Sequence, residues 1–264
     1  MKIVVCVKQV PDTSDIKWTE NNTMVREGVE SIMNPFDEYA VETAVRIKEA
    51  NPDTTITVIT MGPPQAKDVL KRGIAMGADE AILLTDKKFA GADTQATSRT
   101  LATAIKNKIG QFDLIICGMF AIDGDTAQTG PSIAEHLGIA QVTYAKEVQY
   151  SGGQSIIVNR EVDEGLQKVE MQLPGVICML KCDYEPRKPS IKGTMKANKT
   201  AIAEYTMEDL GLSPEQVGIK GSPTFVSKAF RPEARDAGEL IQAPSAREAA
   251  IALIERLKED KILA

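Results

Sequence analysis

The chain has 264 residues, 43% of them hydrophobic, enough apolar material for one large domain with an appendage or for two small ones. A formal charge of -6 speaks against a dedicated nucleic-acid binder, which needs a basic excess to neutralise phosphates. The four cysteines, Cys6, Cys117, Cys178 and Cys182, stand in apolar stretches without C-x-x-C spacing, so buried reduced thiols and a cytoplasmic setting are expected, with no metal site.

Residues 2–10 read as a buried strand with no leader before it, and no run of about 18 apolar residues offers a membrane span. A helical period over Phe36, Ala40, Val41, Ala44, Val45 and Ile47 follows a loop, which makes a strand and its crossover helix. Residues 55–61 form a second β-rich run, Gly62-Pro63-Pro64 breaks it, and residues 66–76 resume helical spacing until Gly77 stops them. Strand and helix alternate again over 81–84, 94–109, 114–117 and 132–137. Four such units imply an α/β fold with a mainly parallel, Rossmann-like sheet and helices on both faces. Its ligand crevice belongs at the carboxyl ends of the strands, where Gln9, Met61 and residues 118–129 fall.

Past Gln141 come β-rich runs at 142–150, 155–162, 167–173 and 176–180, expected as antiparallel strands extending the same sheet. From Asp183 the chain turns rich in Pro, Lys and Gly, and it ends in a helix opened by Pro244 and Ser245, with Ala249, Ile251, Leu253, Ile254 and Leu257 apolar. The expected division is a nucleotide-binding core over 1–183 and a loop and arm over 184–264, the last helix packing on a partner or on its own domain.

Residues 118–132 read G-M-F-A-I-D-G-D-T-A-Q-T-G-P-S between an apolar run and a helical one. Small residues let the backbone approach a ligand, and Gln128, Thr129 and Ser132 add donors where a helix leaves its first amides unpaired. A capped turn explains the same pattern. G-x-G and the P-loop pattern are both absent, so a nucleotide here is held in another way. Asp123 and Asp125 would repel a phosphate and must turn toward a ribose hydroxyl, an amide or a helix cap, and capping is the simplest role for Asp125. His136, the only histidine, sits inside a helical run, and no side chain is assigned a catalytic role. In Asn34-Pro35-Phe36-Asp37, Pro35 biases Asn34 out of the helical region and Asp37 suits a first turn, the pattern of a helix start. Arg187, Lys188, Lys192, Lys196 and Lys199 surround Ile191 and Met195, either as a solvated loop or as a docking element with an apolar anchor and steering charges.

Several pieces stand in one order: V-C-V-K-Q-V at 5–10, M-N-P-F-D-E-Y-A-V-E-T-A at 33–44, A-M-G-A-D at 75–79 and A-I-D-G-D-T-A-Q-T-G at 121–130. R-E-V-D-E-G-L at 160–166, L-P-G-V at 173–176 and E-P-R at 185–187 complete them. With these, the chain from Lys2 to about Lys199 resembles the β subunit of electron transfer flavoproteins. The resemblance implies pairing with an α subunit that carries its own FAD. It also implies a nucleotide bound by this chain through Cys6, Asn34, Pro35, Phe36, Asp37 and Met61, together with Gly118, Met119, Phe120, Ala121, Ile122, Asp123, Gly124, Asp125, Thr126, Ala127, Gln128 and Thr129. In ordinary members that nucleotide is a structural AMP, whereas in the electron-bifurcating branch it is a second FAD with the same adenylate half. Ordinary members read G-K-Q-A-I-D, and Met119 in this chain resembles the bifurcating branch, as does Val158-Asn159-Arg160, while Phe120 is less usual.

The implied activity is NADH-dependent electron bifurcation by the heterodimer, toward an acyl-CoA dehydrogenase and a low-potential acceptor such as ferredoxin or flavodoxin. The basic stretch falls where the family recognises acyl-CoA dehydrogenases, with Ile191 as apolar anchor and Met195 beside it, and Phe225 and Phe230 are expected arm contacts. An alternative of another class is a stand-alone adenylate-binding module similar to universal stress proteins. Their G-x-x-G spacing differs from the even six-residue intervals of Gly118, Gly124 and Gly130.

Overall fold

Strand β1 (Lys2–Cys6) is buried from its second residue onward and lies between β4 (Thr55–Met61) and β6 (Leu114–Gly118), parallel to both. Such a strand has no solvated face, which is why its sequence is a continuous apolar run. This arrangement comes from a computed structural model that describes residues 1–12, 31–228 and 238–263. The nine-stranded sheet has the order β11-β5-β4-β1-β6-β10-β7-β8-β9. Its members are completed by β5 (Glu80–Leu84), β7 (Ala140–Gln149), β8 (Ser155–Val162), β9 (Gly165–Gln172), β10 (Gly175–Met179) and β11 (Ile202–Tyr205).

Helices α1 (Pro35–Ala50), α2 (Lys67–Met76), α3 (Thr94–Ala104) and α4 (Thr129–Leu137) make the crossovers. The strands run outward from β1 through β4 to β5 and then return to β6 on its other side, so the order reverses between β1 and β6. At such a switch point the following loops diverge and leave a crevice. Two cores sandwich the sheet, and neighbouring residues of β1 belong to different ones. Val5 joins Ala40, Ile56, Leu70 and Ile116, while Val4 joins Ile59, Leu101, Ile115 and Ile133. Burying each such side chain contributes roughly 1.5–3 kcal/mol, so these alternating faces fix the strand register.

The expected single strand over 2–10 is two. After Cys6 the backbone leaves the sheet, and β2 (Gln9–Pro11) pairs antiparallel with β3 (Ser31–Met33). The cause lies at Lys8, whose N–H donates to Asp37 Oδ2 and whose carbonyl accepts from the Asn34 N–H, so the start of α1 takes the groups a sheet partner would need. The expectation of antiparallel strands after Gln141 holds for the β7-β8-β9 ladder. Strand β10 inserts between β6 and β7, parallel to both. All five of its residues are buried, as a central strand requires, whereas β9 is mostly exposed and forms one edge.

Strand β11 adds to the outer side of β5, and Met207, Leu210 and Val217 enter the second core. The first compact unit runs from Met1 to Ser227. The second, Lys228–Ala264, holds α6 (Ala246–Glu259), where Ser245 Oγ accepts from the Glu248 N–H as its sequence predicts. On α6, Ile251, Leu253 and Ile254 are about half exposed. The basic stretch is a helix, α5 (Ile191–Lys199), capped by Ser190 Oγ accepting from the Gly193 N–H. No helix among the described residues is long and apolar enough to cross a membrane.

All four cysteines are buried and free. Cys6, Cys117 and Cys178 stand side by side in register on β1, β6 and β10. A hydrogen bond with Cys117 and burial push the Cys6 thiol up, and burial does the same at Cys178, so these remain neutral thiols. Gly130 on α4 rests on this row, where a Cβ would collide with Cys178 Sγ.

Candidate functional site

Strand β6 ends at Gly118, where α1 approaches so closely that a Cβ would collide with Asp37 Oδ1 and with Phe36. Asn34 takes the extended conformation that Pro35 imposes, with φ -52° and ψ 130°. Its side chain does not cap α1 but crosses to the loop after β6: Nδ2 donates to the Phe120 carbonyl at 2.9 Å, and Oδ1 accepts from the Ile122 N–H at 3.1 Å. Nδ2 also donates to Asp37 Oδ1 at 3.0 Å. With Asn34 only 1% exposed, its amide is committed to holding the loop. Asp37 in turn accepts from the Lys8 N–H at 2.7 Å. Burial pushes its carboxyl up to about 7, against the opposing hydrogen bonds from Asn34, Lys8 and Gly118.

Asp123 turns inward to an ammonium, accepting from Lys8 Nζ at 2.6 Å with its side chain 3% exposed. The two ends of the switch point are thus tied together twice, by Asn34 and by Lys8. The capping role expected for Asp125 is not what forms, because α4 starts farther along, at Thr129, with Gln128 in the cap position and no side-chain cap. Asp125 instead is exposed, with its N–H donating to the Ala121 carbonyl. Gln128 Oε1 accepts from Thr94 Oγ1 at 2.9 Å, which ties the loop to the start of α3.

Between these anchors the backbone is strained. Asp125 and Ala127 have φ of 50° and 54°, a left-handed conformation costing about 1–2 kcal/mol for a residue with a Cβ. Strain of this kind persists only where surrounding bonds over-determine it, and it concentrates in ligand loops. A Cβ on Gly124 would meet nothing, Thr126 and Gln128 are exposed, and no side chain caps the first amides of α4. Those amides carry the positive end of the helix dipole and suit an anion.

The rings of Phe36 and Phe120 meet at 4.2 Å between centres with a 47° tilt, and Ile122 is exposed. Met119 is buried; its N–H donates to the Met179 carbonyl and its Sδ accepts from the Tyr144 N–H at 3.4 Å. Cys6 and Met61 end β1 and β4 on neighbouring strands at the same edge of the sheet. The fold therefore gathers residues 34–37 with 118–123 by direct contact and aligns Cys6, Met61 and Thr129 along the same strand ends. Ile191 and Met195 lie apart from this cluster, on α5 against α2, 84% and 57% exposed. Phe225 is exposed, and Phe230 lies outside the described residues.

Two anchors had no role in the sequence reading. Lys8 has no local signal, because its partners Asp37 and Asp123 lie 29 and 115 residues away. Tyr144 has φ 59°, a rare conformation for a bulky residue, at a register shift of β7 against β10. Its signal is the buried pair Val142 and Ala145, three apart where a regular strand alternates by two. Two hollows elsewhere, of about 160 Å³ beside Arg99, Lys106 and His136 and about 400 Å³ beside Lys48, Glu49 and Arg187, are bordered by charged chains without convergent bonding groups.

Comparison with known proteins matches residues 21–210 to the electron transfer flavoprotein domain. Over its whole length the chain is 46% identical to all of the caffeyl-CoA reductase-Etf complex subunit CarD of Acetobacterium woodii. It is likewise 46% identical, across both full chains, to the electron transfer flavoprotein subunit beta of Megasphaera elsdenii. The acryloyl-CoA reductase electron transfer subunit gamma of Anaerotignum propionicum is 37% identical, again across both full chains. A domain match over most of the chain and full-length relatives at this identity place the protein in the electron transfer flavoprotein family, as a β subunit.

Proposed function

We propose that the chain, paired with an electron transfer flavoprotein α subunit, binds FAD at the loop over residues 118–129 and serves NADH-dependent electron bifurcation to an acyl-CoA dehydrogenase and a low-potential acceptor such as ferredoxin or flavodoxin. The observation that carries this reading over a structural AMP is Met119. Ordinary members have a lysine there, whereas this chain buries an apolar side chain whose sulfur accepts from the Tyr144 N–H of β7. Full-length similarity to a subunit of a caffeyl-CoA reductase-Etf complex supports the same direction.

The residues suit an adenine dinucleotide. No side chain caps the α4 amides, Ala121, Gly124 and Ala127 keep the loop thin, and Thr129 brings a hydroxyl to the helix start. Lys8 neutralises Asp123, which removes one carboxylate charge that would oppose a phosphate. Asn34 and Asp37 hold the loop's shape from behind, and Phe36, Phe120 and Ile122 offer an apolar wall to a planar ring. A bound flavin would supply the two-electron chemistry with NADH and the one-electron transfers. The protein's own part is to bind, orient and exclude water, so none of its side chains is assigned as a covalent catalyst.

The test is to count FAD and AMP released from the purified heterodimer and to assay NADH oxidation. Two FAD per heterodimer with NADH oxidation is the expected result. One FAD and one AMP without NADH oxidation would instead identify a single-flavin carrier, and tight ATP binding by a stable lone chain would favour the adenylate-binding module.

A further inference from the structure

Residues 180–190, between β10 and α5, form no regular element, yet side chains pin this connection along one face of α1. Arg46 lies 3.7 Å over the Tyr184 ring, the Tyr184 hydroxyl is 2.7 Å from Thr43 Oγ1, and Tyr39 Oη donates to Glu185 Oε2 at 3.4 Å. Arg187 forms the strongest tie. Its Nε donates to Glu42 Oε2 at 2.7 Å and its Nη2 to Glu42 Oε1 at 3.1 Å, while Nη1 and Nη2 donate to the two oxygens of Glu49 at 2.6 and 3.1 Å. The Arg187 N–H donates to Glu42 as well, at 3.1 Å. A planar guanidinium holding two carboxylates fixes direction as well as distance, which an ammonium cannot do.

Helix α5 is itself seated along its length, on and just beyond the end of α2. Gly193 lies on the Ala75 carbonyl with no room for a Cβ, Ala197 is buried, and Lys196 Nζ donates to the Ala78 carbonyl at 2.8 Å. What remains outward is the pair Ile191 and Met195, one helical turn apart, with Lys188, Lys192 and Lys199 exposed around them.

We infer that Arg187 is a positioning residue that pre-forms this face, so that docking an acidic-rimmed acyl-CoA dehydrogenase does not require the 184–199 segment to be ordered on contact. The inference rests on the docking reading of Ile191 and Met195. Ordering a free segment at the moment of binding weakens association without touching the later electron transfer, so the effect belongs in the apparent affinity for the partner.

The experiment measures electron transfer by the intact heterodimer at increasing dehydrogenase concentration. Arg187→Gln is expected to raise KM for the dehydrogenase about tenfold, with kcat and cofactor content unchanged and with faster deuterium uptake confined to residues 184–199. Glu49→Gln, at an exposed position, loosens the clamp without stranding a buried charge and is expected to raise KM about threefold, which decides the matter if Arg187→Gln does not fold. Unchanged KM in folded variants overturns the inference, as does a fall in kcat alone. Ile191→Glu separates the two ideas: if it raises KM while the clamp variants do not, only the positioning role fails, and if it too leaves KM unchanged, the docking reading fails with it.

Discussion

Helix α1 holds two segments that each follow the carboxyl end of a strand, and it holds them by different physics. Its first turn secures the loop after β6 through Asn34 and Asp37, both nearly inaccessible to water. Its later turns secure the chain after β10 through Glu42, Thr43, Arg46 and Glu49, with redundant and partly exposed charged bonds. A buried latch has no water to replace a lost partner, whereas the clamp, although its Glu42 is buried, has Arg187 and Glu49 within reach of water and bonds in excess. The loop should therefore respond to single substitutions much more strongly than the docking segment does.

The largest effect is expected for Asn34→Ala, which strands the Phe120 carbonyl, the Ile122 N–H and Asp37 together. The variant should lose about 2–4 kcal/mol by denaturant titration and release its nucleotide, and a loss below about 1 kcal/mol would mean that the loop keeps its shape without the latch. Lys8→Met comes next, removing the ammonium that pairs with the almost buried carboxylate of Asp123. Because Lys8 itself is 41% exposed, screening reduces the loss to about 1–2 kcal/mol, and Asp123→Asn in the same chain should recover part of it.

The two segments should also part company with pH. Asp37, raised to about 7 in the fold, binds its proton more tightly there than in the unfolded chain. Stability from this group is therefore full below its ordinary value near 3.8, falls as pH rises toward about 7 and then levels, and Asp37→Asn should flatten that slope. The clamp behaves oppositely. Burial raises Glu42, but the bonds from Arg187 and Arg46 outweigh it and hold the carboxyl below its usual range, and Glu49 is lowered by Arg187. Its contribution is present above the ordinary carboxylate range and is lost as pH falls through the lowered values. Hydrogen exchange of 118–124 and of 184–199 across this range should show the two trends, and parallel trends would contradict the contrast.

The smallest effect on stability is expected for Thr129→Leu, within about 0.5 kcal/mol at a half-buried helix start. Its consequence should appear as an empty nucleotide site with the α-subunit flavin retained. Unchanged cofactor content would count against the loop as the binding site.

By itself the sequence determined the local elements: the apolar runs of β1, β4 and β6, the helix start at Pro35, the Ser245 cap and the buried thiols all carry their signal within a few residues. Periodicity reports which face of a segment is buried, and capping chemistry reports where a helix begins. Only the tertiary structure decided the partners. The apolar run of β10 marks a strand buried on both faces, but nothing local says that it inserts between β6 and β7, nor that β11 pairs with β5. Asn34 reaches a carbonyl 86 residues away and Arg187 a carboxylate 145 away. A polar side chain satisfied at such separation leaves no periodic trace, because its partner is chosen by the order in which strands assemble and not by its neighbours along the chain.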